Sequence, residues 1–257
     1  MRLIHAEKLE LEYVATPDEK AYAILSHTWL RPSQQEVTFQ DFSDPAVRAT
    51  RPGFHKIREC CKLAVENGLQ YVWVDTCCIN KDSSAELQEA INSMYSWYEK
   101  AEVCFALLDD AGGALSQCRW FTRGWTLQEL LAPKEVRFYQ LEEGQTRFLG
   151  TRESLAAQIS GVTNIDECYL TKEKSTDQAS VAHRMSWVSG RRTEKKEDMA
   201  YCMLGLFDVS LPLLYGEGWG AFRRLQEAII AKSDANRSSP GRPLAMQTIP
   251  MMSSLEA

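Results

Sequence analysis

The sequence predicts an α/β fold for its first half, a parallel sheet flanked by helices, and three observations carry that expectation. Apolar runs of strand length alternate with amphipathic stretches of helical period. Polar and aromatic residues gather at the carboxyl end of the first two runs, the end where open parallel sheets bind ligands. Three strand–helix alternations in succession require right-handed crossovers, which make neighbouring strands parallel.

In chain order, Met1 to Val14 alternates loosely through Leu9, Leu11 and Tyr13, which fits one or two short strands before the turn-forming Thr16-Pro17-Asp18. Ala21 to Ser26 reads as a buried strand ending in Ser26-His27-Thr28-Trp29. A polar connection then leads to a helix whose apolar positions, Ile57, Cys60, Cys61, Ala64 and Val65, recur at three and four until Gly68 stops it. Leu69 to Asp75 is the second strand, with Asp75, Thr76 and two cysteines at its carboxyl end. Ser83-Ser84-Ala85-Glu86 is a capping box, and the helix behind it sets Leu87, Ile91, Met94 and Tyr98 on one face. Val103 to Leu108 is the third strand, followed by the turn-like Asp109-Asp110-Ala111-Gly112-Gly113. The next helix must end near Pro133, because the residue before a proline avoids helical geometry, and Val136 to Tyr139 is the fourth strand.

Beyond Gly150 the pattern turns mainly helical, over Ser154 to Ile159, Ala179 to Val188, Thr193 to Phe207 and Trp219 to Ala231. Leu211 to Gly218 interrupts it. From Ser233 onward periodic apolar residues give way to Asn, Ser, Pro and Gly, so 233–257 reads as a disordered tail or linker. The expected organisation is therefore an α/β core at 1–150 and a mainly helical extension at 151–232.

A net charge of −6 with scattered basic residues argues against nucleic-acid binding. No apolar stretch reaches bilayer-spanning length and no signal peptide is present, which points to a cytoplasmic chain without a membrane partner. The eight cysteines lack metal-site spacing and read as small buried hydrophobes, so no metal is expected. Phosphate-cradling glycine motifs are missing too, which removes the kinase, NTPase and dehydrogenase readings, and without a nucleophile elbow nothing supports His27 with Ser26, Cys77 or Cys78 as a base and nucleophile pair.

The densest chemistry lies in Arg119-Trp120-Phe121-Thr122-Arg123-Gly124-Trp125-Thr126-Leu127-Gln128-Glu129, where Glu129 follows Trp125 by one helical turn. On a parallel sheet this stretch can converge with Ser26-His27-Thr28-Trp29 and Asp75. A carboxylate among aromatics suits cleavage of a glycosidic bond whose leaving group already carries positive charge, as nicotinamide does on NAD. Glu129 is then the catalytic group, ionised at neutral pH if unperturbed. Trp29, Trp120 and Trp125 offer ring faces, and Arg123, with Arg119, could hold a pyrophosphate or a partner's carboxylate. Asp75 stands as a ribose or loop ligand, or as the cap of the turn after it. Plain packing is the competing reading of the tryptophans, and a solvated helix face that of Glu129.

These segments resemble the fungal heterokaryon-incompatibility (HET) domain, a family marked by a strand-end S-x-x-W, a W-x-D-x-x-C-I-N segment and a W-F-x-R-x-W-T-x-Q-E segment. They stand here as Ser26 to Trp29, Trp73 to Asn80 and Trp120 to Glu129. Glu197 to Phe207 and Leu214 to Gly218 add to the likeness, which spans 1–232, while Leu30 replaces the usual glycine after Trp29. The resemblance implies a TIR-like, flavodoxin-like sheet and a role in cell death, allorecognition and innate immunity when unlike fungal cells fuse. It also implies Glu129 as catalytic residue, Ser26 to Trp29 as a pocket-lining loop and NAD as substrate, with no permanently bound cofactor. Homo-oligomerisation through like domains and association with NLR-type receptor domains are the implied partnerships.

Overall fold

Tyr22–His27, the buried run, lies near the middle of a seven-stranded mixed sheet in the computed structural model, which describes residues 1–110, 115–142 and 145–237. In chain order the strands are β1 (Arg2–His5), β2 (Glu10–Tyr13), β3 (Tyr22–His27), β4 (Tyr71–Trp73), β5 (Val103–Leu108), β6 (Val136–Glu142) and β7 (Gln145–Thr151). Across the sheet they run β2-β1-β4-β3-β5-β6-β7. The neighbours β4, β3, β5 and β6 are parallel, while β1 pairs antiparallel with β2 and β4, and β7 with β6. The expected parallel sheet is thus only the centre of a mixed one. Strand β7 escapes the sequence because its side chains are mostly polar and all but Gly150 are exposed or half-buried, leaving no apolar run to mark it.

Every residue of β3 and β5 is buried, as expected of strands covered on both faces. The connections after β3 carry α1 (Phe39–Phe42), α2 (Pro45–Thr50) and α3 (Phe54–Glu66), and α3 ends at Gly68, whose φ of 75° needs no Cβ. After β4 come α4 (Asp75–Cys78) and α5 (Ser84–Lys100), and after β5 comes α6 (Thr126–Leu131). Ser83 caps α5 by accepting from the Glu86 N–H, but the Glu86 carboxyl turns to the Asn80 N–H and to Arg2. Helix α5 is pinned to the sheet by Tyr98, whose hydroxyl donates to the Leu25 carbonyl at 2.9 Å. Trp73 is wholly buried, edge-on to Trp97 and Tyr98, and belongs to the core.

The C-terminal region is helical in shorter pieces than its periodicity suggests. Helices span Ala156–Thr163, Glu167–Leu170 and Val181–Ser186, and the expected helix over Thr193 to Phe207 resolves into single turns, Asp198–Tyr201 and Leu204–Phe207. The final helix, Gly220–Arg237, extends past the expected stop near Ala231; the rest of the expected tail and residues 111–113 lie outside the described residues. This region grips the core through Arg152, fully buried, whose guanidinium donates to the carbonyls of Leu130, Pro133 and Lys134 at 2.9 Å each. Those carbonyls lie at the carboxyl end of α6, so Arg152 fixes the helix that carries Glu129. Among the described residues no helix is long and apolar enough to cross a membrane.

Candidate active site

The chain leaves β3 for β4 on one side and then returns past β3 to β5 on the other, which opens a crevice at the carboxyl ends of these strands. A cavity of about 330 Å³ lies there. His27 and Trp29 line it from the exit of β3, Asp75 and Lys81 from the segment after β4, and Met94 and Tyr98 from α5. Arg123, Trp125 and Glu129 line it from the segment of α6, and Glu194, Lys195, Asp198 and Tyr215 from the C-terminal region.

The stretch from Arg119 to Glu129 is not one helix. Arg119–Thr122 forms a 3₁₀ turn, Arg123 is extended, and α6 begins only at Thr126. The break arises because the Gly124 N–H donates to the Arg192 carbonyl at 2.9 Å and the Arg192 N–H to the Thr122 carbonyl at 2.7 Å. A Cβ on Gly124 would lie 2.5 Å from Thr193 Cγ2, so any other residue here would force the Thr193 side chain to move. Arg191 locks the junction, donating to the Arg123 carbonyl at 2.9 Å and to Thr126 Oγ1 at 3.0 Å.

Glu129 is buried, and its Oε2 accepts a hydrogen bond from the Ser26 hydroxyl. Ser26 Oγ in turn accepts from the Trp120 indole N–H at 2.8 Å. Burial pushes the Glu129 carboxyl up to about 8 against the opposing pull of Ser26; the charge of Asp75 adds to the rise, and Arg123 and Arg191 resist it. The expectation of an ionised Glu129 at neutral pH is therefore corrected: one hydroxyl does not offset the loss of hydration on burial.

Asp75 behaves in the opposite way. Its carboxylate accepts from Trp29 Nε1 at 3.1 Å, meets His27 Nε2 at 3.2 Å and pairs with Lys81 Nζ at 3.7 Å. Burial pushes it upward, but Lys81, His27 and Trp29 outweigh that and hold it well below the usual carboxylate range. Asp75 opens α4 without capping it, since its oxygens are spent on these three groups. Lys81 also sits 3.8 Å from the Trp29 ring centroid, covering one face of that indole.

The expected binding residues divide accordingly. His27, Trp29, Asp75, Arg123 and Trp125 line the cavity with Glu129. Ser26, Thr28 and Trp120 do not. Ser26 and Trp120 are completely buried behind Glu129, where Trp120 packs edge-on to Phe121 and Phe138. Thr28 faces a separate ion network, its hydroxyl donating to Asp109 at 2.8 Å and its carbonyl accepting from buried Lys56 at 2.7 Å. Arg119 joins that network through Asp109 and Asp110. Leu30 shows no positive φ, so the missing glycine costs the backbone nothing there, and its N–H donates to Glu36 at 2.7 Å. Burial raises the Cys77 thiol well above its ordinary value, which removes it as a thiolate partner for His27.

Sequence reasoning missed Lys81, Asp198 and Tyr215. The signal was present in Glu197-Asp198 and Leu214 to Gly218, which read as landmarks without a chemical role. The structure ties these segments together: Glu197 Oε1 accepts from the N–H groups of Gly216 at 2.8 Å and Gly218 at 2.9 Å. Both glycines have positive φ, 106° and 57°, which lets their N–H groups turn inward to one oxygen. The Tyr215 hydroxyl donates to Asp198 Oδ1 at 3.0 Å, and the adjacent Trp125 side chain also favours the ionised form of that carboxyl.

Residues 22–117 match the family model described as heterokaryon incompatibility protein (HET). Over 222 residues the chain is 46% identical to the vegetative incompatibility protein HET-E-1 of Podospora anserina, an overlap of 81% of this chain and 16% of that protein. No solved structure matches.

Proposed function

We propose that this chain, which belongs to the heterokaryon incompatibility (HET) family, is a cytoplasmic cell-death effector of incompatibility that acts by cleaving NAD to nicotinamide and ADP-ribose. The observation that carries the cleavage is the buried Glu129 carboxyl, oriented by Ser26 in a cavity that also holds Trp125, Tyr215 and the cations Lys81, Arg123 and Lys195. The parallel strands, numbered in chain order, lie second, first, third, fourth, the order of flavodoxin-like sheets, and this supports the TIR-like reading.

The chemistry follows from charge. A pyridinium ring entering beside Glu129 brings the opposite charge that burial lacks and draws the carboxyl toward ionisation, by about 1–3 pKa units at close range. As the C–N bond breaks, the bonding pair neutralises nicotinamide and positive charge moves to the ribosyl carbon, where the carboxylate stabilises it. Water adds to that carbon and loses a proton, giving ADP-ribose. Arg123, Lys81 and Lys195 suit the pyrophosphate.

The test is nicotinamide release from concentrated protein. The native protein should release it, with kcat/KM rising as pH approaches about 8, and Glu129→Gln should lose at least about a hundredfold while staying folded. Equal release by both proteins would sink the proposal. The chain spans 16% of the length of its Podospora relative, so like domains and NLR-type receptor domains are proposed partners rather than parts of the described fold. Exposed Leu214 and Trp219 favour a second reading, a non-catalytic module that signals by assembling with like domains. Toxicity that survives Glu129→Gln without NAD loss would select it.

A further inference from the structure

Asp75 and Asp198 line the same cavity, yet Asp75 is held by more partners and Asp198 has more acceptor capacity left for a ligand. Asp75 already serves Trp29, His27 and Lys81. Asp198 accepts from Tyr215 at 3.0 Å with Trp125 beside it, and among the described residues no cation lies within 4 Å of it, though the charge of Lys195 acts on it from farther off. A carboxylate offers about four acceptor positions, so room for at least two more donors remains. Burial raises the pKa of this half-buried group, and the charge of Glu197 adds to the rise, against the pull of Tyr215, Trp125 and Lys195. Tyr215 and Trp125 also line the cavity and add aromatic rings beside it.

We infer that Asp198 is a second working carboxyl of this cavity, supplied by the C-terminal region, and that it holds vicinal hydroxyls of a ribosyl group. Two adjacent hydroxyls supply the two donors Asp198 lacks, and acidic side chains in other nucleotide sites take ribose hydroxyls in this way. The assignment moves the ribose-holding role expected of Asp75 to a residue outside the 22–117 match. Asp75 becomes a positioning residue that sets Trp29, His27 and Lys81 around the ligand. The inference rests on the ribosyl substrate proposed above, and its test separates the two.

Binding of NAD and of two analogues, each lacking the 2-hydroxyl of one ribose, is measured by calorimetry on Glu129→Gln protein with and without Asp198→Asn. The single variant should prefer NAD over one deoxy analogue at least about tenfold, as expected for a buried hydroxyl-reading site. The added Asp198→Asn should cut that ratio below about threefold, a change that a purely structural role would not make. If Asp198→Asn does not fold, Tyr215→Phe takes its place and should lower the ratio at least about threefold by freeing the carboxyl from its orienting donor. An unchanged ratio, or no hydroxyl preference at all, overturns the inference even if native protein cleaves NAD. NAD held with this preference but not cleaved overturns the cleavage reading alone, and no binding of NAD overturns both.

Discussion

Asp75 and Glu129 line one cavity within the same fold, and they end in opposite states. Asp75 is served by an indole N–H, an imidazole and an ammonium group, and stays an anion. Glu129 is served by one hydroxyl, and burial raises it to about 8. The residue types are nearly interchangeable, so the number and charge of the donors decide the protonation state. A site built this way has a fixed negative pole at the β3 and β4 exits and a convertible one on α6, which a cationic ligand can switch on.

Glu129→Gln should break the contrast most visibly. The folded protein keeps the Glu129 proton up to about 8, whereas the unfolded chain releases it above the ordinary value of 4.5. Folding therefore loses stability as pH rises between those values, by roughly 4 kcal/mol in all. Glutamine carries no such proton, so the stability of the variant relative to native protein should climb from pH 5 to pH 8 in urea denaturation. A gap that stays flat over that range means that Glu129 is ionised throughout.

Asp75→Ala attacks the other pole. Removing the carboxylate leaves Lys81 and the Trp29 and His27 ring nitrogens without their partner, and the loss of hydrogen bonds to a charged group should cost about 2–3 kcal/mol in the same assay at neutral pH. Ser26→Ala is a smaller blow, about 1–2 kcal/mol, because it strands the Trp120 N–H and strips Glu129 of its donor. It should also push the Glu129 titration higher still, readable by carboxyl-carbon NMR; a fall would mean that Ser26 does not donate to it. Lys81→Met should be mildest, at most about 1 kcal/mol, since this pair is partly exposed. The Asp75 titration should move up toward its ordinary range, and stability should depend less on pH in acid.

The central strands, α3 with its Gly68 stop and α5 with its Ser83 cap were legible because each rests on a local signal, an apolar run or a capping residue. The meeting of Trp29, Asp75, Arg123, Trp125 and Glu129 followed from the crossover rule. The broken stretch before α6 was not legible, because its cause is a backbone pairing between Thr122–Gly124 and Arg192, some seventy residues away. Asp198 and Tyr215 escaped for the same reason: what makes them part of a site is Glu197 holding two glycine N–H groups, a contact no periodicity announces.

The sequence by itself determined the α/β core, the family and the residue types gathered at the carboxyl ends of β3 and β4 and on α6, since these depend on near neighbours in the chain. Tertiary structure alone decided which of those residues face the cavity, which only support it, and which carboxyl keeps its proton. Burial and donor count are set by groups far apart in sequence, and the pKa of Glu129 responds to both.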